Sequence, residues 1–133
     1  MHKRFLTWAA ILGATGVALG AFGAHGLQKL TGDPAILNSY ETGTRYQMIH
    51  ALALLAVSIL AFHNSSRWLS WAGVCFVIGV ILFSGSLYGI SYMKIEGYRP
   101  GILGPITPVG GLFLVLGWIF LLFSALWGNG GKG

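Results

Sequence analysis

Four uncharged apolar stretches constrain this chain more than anything else in it. They underlie spans of about 5–25, 45–62, 68–93 and 107–127, the second opening on Arg45 and uncharged from Tyr46 on. Each approaches the roughly 20 helical residues needed to cross a hydrocarbon layer. Lipid offers no hydrogen-bond partner to an open backbone, so such segments have to be helices. Composition agrees: 55% of the residues are hydrophobic and only 8% charged, against about 25% charged in soluble domains. The expected fold is all-α, a four-span transmembrane helical bundle with a short extra helical segment before span two. One membrane domain, residues 1–133, accounts for the whole length.

The net charge of +5 comes from scattered residues. No basic run of the kind a nucleic acid requires is present, and the positive balance reads as topology and contact with lipid headgroups. The single cysteine, Cys75, excludes an intrachain disulfide. His2-Lys3-Arg4 before an apolar run resembles a signal peptide, but the uncharged run continues to Gly26, beyond the usual apolar region. It is kept as a span. Lys3, Arg4, Arg67 and Lys132 mark one side, and Lys29, Arg45, Lys94 and Arg99 the other. The expected placement is a multi-pass protein of the bacterial inner membrane with both termini cytoplasmic.

Capping residues place the helix starts. Asp33-Pro34 suits an N-cap followed by proline at the first helical position, so helix two is expected to begin outside the hydrocarbon. Ile36, Leu37 and Tyr40 would press its first turns onto the bundle. Thr107-Pro108 reads the same way for the last helix, after an irregular Gly- and Pro-containing segment that could dip inward and bind an anion. Gly16, Gly20, Gly85 and Gly89 form small-xxx-small patterns suited to close helix packing or to a homo-oligomer.

Tyr46–Leu55, with Glu41 and Arg45 before it, concentrates the polar chemistry. Gly43, Gln47, His50 and Leu54 share one helical stripe, which lipid cannot satisfy. Tyr40, Tyr46, Tyr88, Tyr92 and Tyr98 fall at one end of the spans, while Trp8, Trp68, Trp71 and Trp127 fall at the other. His25, Gln47, His50, Ser84, Ser86, Tyr88 and Thr107 follow the tyrosines, which suggests a polar vestibule open on one side. Its expected ligand-binding residues are Arg45, Tyr46, Gln47, His50, Ser84, Tyr88, Thr107 and His25.

Rival chemistries are weaker. Two histidines at one level could ligate a haem or a metal, but only two strong ligands exist, so no cofactor and no metal are expected. Ser84 or Ser86 with His50 could make a nucleophile, but the only nearby acids are in loops and no catalytic residue is assigned. The leading functional expectation is binding or transport of a small polar molecule or lipid headgroup. The alternative is a structural or assembly subunit that packs on a membrane partner through its glycine faces.

Four ordered motifs carry a resemblance. Gly20-Ala21-Phe22-Gly23-Ala24-His25-Gly26-Leu27, Tyr46–Leu55, Leu82-Phe83-Ser84-Gly85-Ser86-Leu87-Tyr88 and Gly104–Gly111 with Gly117-Trp118 resemble domain-of-unknown-function family 423. These are small bacterial inner-membrane proteins similar to eukaryotic transmembrane protein 256. The resemblance implies a four-span membrane protein and brings no reaction or binding residue with it.

Overall fold

A computed structural model describes residues 2–128, so Lys132 lies outside the described residues. Five helices follow in order: α1 His2–His25, α2 Leu27–Leu30, α3 Pro34–His63, α4 Arg67–Ile95 and α5 Leu103–Trp127. All but α2 are long and apolar enough to cross a membrane. The chain is an all-α bundle. Residues 34–45 belong to the same helix as span two, and the separate helical piece ahead of it is the single turn of α2.

Asp33 acts as the sequence suggests. Its carboxylate accepts from the Ala35 N–H at 3.0 Å, and Pro34 opens α3. Ile36 and Tyr40 are buried, and Leu37 is partly so. Ser66 caps α4 by accepting from the Trp68 N–H. The far end of α4 closes with a Schellman arrangement: Tyr98 N–H donates to the Met93 carbonyl, Gly97 N–H to that of Lys94. This needs a left-handed residue at Gly97, whose φ is +83°.

The Thr107 expectation fails. α5 starts at Leu103 and Pro108 lies inside it. The irregular link shortens to 96–102, and apart from Pro100 it is exposed rather than folded inward. Thr107-Pro108 is therefore not the start of a helix after unwound chain. The early start has a tertiary cause, since Leu103 packs against Gly89 of α4 and the Thr107 hydroxyl pairs with Ser86 instead of capping.

α3 and α4 form the middle of the bundle, flanked by α1 and α5 respectively. Side-chain bonds fix α1 against α3. Ser58 Oγ donates to the His2 carbonyl, Gln47 reaches Leu12 and Thr15, and Tyr40 OH donates to the Leu19 carbonyl. Position falls on one helix as it rises on the other, as antiparallel packing demands. α4 and α5 interlock through glycines from both sides. Gly79 receives Leu114, Gly110 lies against the Leu82–Phe83 backbone, and Gly117 receives Phe76.

Leu54, Val57, Ala72 and Phe76 make the fully buried centre. The outward positions are at least as apolar as this core: Leu52, Ile59, Val74, Ile81, Leu112, Val115 and Leu122 are exposed, whereas Gln47, His50, Ser58, Ser84, Ser86 and Ser91 are buried. Polar groups inside and aliphatic groups outside is the distribution a hydrocarbon solvent imposes.

Candidate functional site

Gln47 is the hub of the buried polar residues. Its amide Nε2 donates to the Leu12 carbonyl at 2.9 Å and to Thr15 Oγ1 at 2.8 Å, and its Oε1 accepts from Tyr88 OH at 2.7 Å. One side chain of α3 therefore ties α1 to α4. Gly43, one turn earlier, leaves room for the Tyr88 ring, and its carbonyl accepts from Ser84 Oγ at 2.7 Å.

His50 makes the corresponding link to α5. Nε2 accepts from the Trp118 indole N–H at 3.0 Å, and Nδ1 sits 2.7 Å from the Tyr46 carbonyl. Indole can only donate and a carbonyl can only accept, so the ring is neutral with its proton on Nδ1. Phe76 and Trp118 pack around it. Ser86 donates to the Phe83 carbonyl and pairs with Thr107.

Among the described residues no buried side-chain nitrogen or oxygen lacks a partner. The serines bond to backbone and to Thr107, so neither is presented to His50 as a nucleophile.

The depth of this network differs from a cluster beneath one rim. Gln47 bonds near the middle of α1, and His50 bonds Trp118 well inside α5. Two candidates lie apart from it. In the α1–α3 register His25 stands level with the first turn of α3, about 22 Å along the axis from His50, and it is exposed. The two histidines are not at one level. Arg45 pairs with Glu41 at 2.9 Å, with both side chains more than 60% exposed. Arg45→Ala should therefore change thermal stability by no more than about 0.5 kcal/mol, read by unfolding in detergent. Tyr46 is exposed, with one side of its ring against Phe83 and His50.

Thr15, Tyr40 and Trp118 do as much as the residues the sequence singles out. Trp118 carried a signal. Tryptophan favours membrane interfaces, so one well inside an apolar span is out of place unless its N–H has a partner.

Two hollows adjoin the network. A cavity of about 380 Å³ opens between α1 and α3 at the tyrosine end, lined by Gly20, Ala24, Gln28, Tyr40, Glu41 and Thr44 among others. A mainly apolar groove of about 410 Å³ runs along the outer side, with Tyr46, His50, Phe83, Leu114 and Trp118 in its walls. Of the glycines considered for assembly, Gly16 faces Met48 and Gly89 faces Leu103 within the chain, while Gly20 and Gly85 look onto open space.

Four apolar helices closed around a satisfied polar interior define a small multi-pass integral membrane protein. The chain belongs to the family described as "Protein of unknown function (DUF423)", which it matches over residues 19–111. It is 43% identical to a UPF0382 membrane protein of Schizosaccharomyces pombe over 86% of this chain and 94% of that one. A UPF0382 membrane protein of Staphylococcus aureus is 40% identical over 92% of this chain and 94% of its own. The UPF0382 inner membrane protein YgdD of Escherichia coli is 39% identical over 95% and 92%. No solved structure gives a significant match.

Proposed function

We propose that this protein binds a small polar molecule or lipid headgroup in a one-sided vestibule, the cavity between α1 and α3. The single observation behind this reading is the lining. Gln28, Glu41 and Thr44 bring hydrogen-bonding groups to a hollow of about 380 Å³ at the tyrosine-bearing end. Tyr40 also lines the cavity, and its ring lies 5.2 Å from that of Tyr88, which bonds Gln47. A ligand there would touch a side chain in direct contact with the network. None of the eight residues expected to bind a ligand lines this cavity. Arg45 contributes through Glu41, and Gln47 ties the α1 and α3 walls together. His50, Ser84 and Thr107 act farther off, where α3, α4 and α5 join.

The topology that goes with this reading has residues 1–133 as one membrane domain in a bacterial inner membrane, both termini cytoplasmic and the vestibule on the outer side. The assembly alternative is left with Gly20 and Gly85, which sit on different helices.

Native mass spectrometry of the full chain, purified in mild detergent, tests the binding reading. A discrete bound mass is expected on the wild type. Gly20→Phe, whose new side chain grows into open space at the cavity wall, should remove it while helicity is unchanged. A wild type with no bound mass, or one whose bound masses all survive Gly20→Phe, sinks the proposal.

A further inference from the structure

At the opposite end of the molecule, near the start of α1, residues of α1 and α4 border one hollow. Phe5 fills the notch at Gly73. Around it an open groove of about 630 Å³ is lined by Arg4, Trp8, Ser70, Val74, Val77 and Ile78. Val74 and Ile78 are 49% and 37% exposed. Ser70 to Ile78 covers about 12 Å along α4, so the groove leads from the level of the tryptophans toward the bundle middle. Its base is aliphatic and its one charged wall residue is Arg4.

Among the described residues the charge around that mouth is of one sign. All three acids of the protein, Asp33, Glu41 and Glu96, belong to the other end. Among the described residues Lys3, Arg4 and Arg67 are the charged ones here, and Arg4 has no ion-pair partner. Lipid chains fill any apolar groove in a bilayer without much selectivity, because the surrounding tails are equally apolar. Preference has to come from the head, and a guanidinium offers a phosphodiester two parallel N–H bonds and a permanent positive charge.

We propose that the α1–α4 groove is a binding site for an anionic glycerophospholipid, its phosphate on Arg4 and an acyl chain along Val74, Val77 and Ile78. The site is independent of the vestibule, lies at the other membrane face and uses none of its residues.

The test offers the purified full chain equal amounts of phosphatidylglycerol and phosphatidylcholine with matched chains and reads retained lipid by native mass spectrometry. Preferential retention of phosphatidylglycerol is expected. Arg4→Gln should cut that preference about fivefold, the effect of one basic residue near a membrane surface. Val77→Trp, which blocks the groove, should lower retention with Arg4 still present. Arg67→Gln serves as the control, since its guanidinium lies over the Trp68 ring and outside the groove; the preference should survive it. Equal retention of both lipids by the wild type means bulk annular lipid only and overturns the proposal. So does a phosphatidylglycerol preference that Arg4→Gln leaves intact or that Arg67→Gln abolishes to the same degree.

Discussion

Gly110→Ala is expected to destabilise the protein by about 3 kcal/mol, at the upper end of what overpacking a well-filled interior costs. An ideal Cβ at this position would stand 2.8 Å from the Leu82 carbonyl carbon and the Phe83 Cα, and closer still to the Phe83 nitrogen. These are backbone atoms, which cannot swing aside as a side-chain tip can. The helices have to separate, and α5 would withdraw Thr107 from Ser86 and Trp118 from His50 as it moves. Gly20→Ala is the matched control, because nothing lies within 4 Å of its Cβ. There the better helix propensity of alanine should leave stability equal or slightly higher. Denaturant titration of the two variants in one detergent gives the comparison. Equal stabilities would mean that α4 and α5 are not in van der Waals contact at Gly110.

Gln47→Met should cost about 2 kcal/mol, although it keeps nearly all the volume. Three hydrogen bonds are lost, each worth about 0.6 kcal/mol on average between membrane helices, and the Tyr88 hydroxyl loses its acceptor. Tyr88→Phe alone should cost less, because the amide keeps its two bonds to α1. In a double-mutant cycle the two changes should be non-additive by about 0.5 kcal/mol or more. Gln47→Met within about 0.5 kcal/mol of the wild type would remove the amide from its position as hub.

Much of the fold was legible because hydrocarbon imposes few solutions. Uncharged runs of sufficient length have to be helices, and the polar stripe Gly43, Gln47, His50 and Leu54 had to face inward, which it does. Asp33-Pro34 marked a helix start correctly since its cap depends on the neighbouring N–H groups alone. Thr107-Pro108 has the same local form and misled, because a neighbouring helix competed for both the hydroxyl and the turn before it. Leu103 against Gly89 and Ser86 against Thr107 are separated by 14 and 21 positions in the chain, beyond the reach of any local pattern.

The site shows the same division. Sequence position alone made Gln47, His50, Ser84 and Tyr88 candidates, since ionisable or amide groups inside a span are conspicuous. It could not pair them. Thr15 and Trp118, the partners of Gln47 and His50, come from helices 32 and 68 residues away, and the register of antiparallel helices decides which side chains meet. That register also put His25 far from His50 and left Arg45 at the surface with Glu41.

By itself the amino-acid order determined the number of spans, the helical state of each and the stripe that faces away from lipid, because each follows from the transfer cost of groups near one another in the chain. Tertiary structure decided where α5 begins, how closely glycine lets it approach α4, and which donor meets which acceptor. Those outcomes depend on the relative axial placement of whole helices, and that is set by packing summed over their full length.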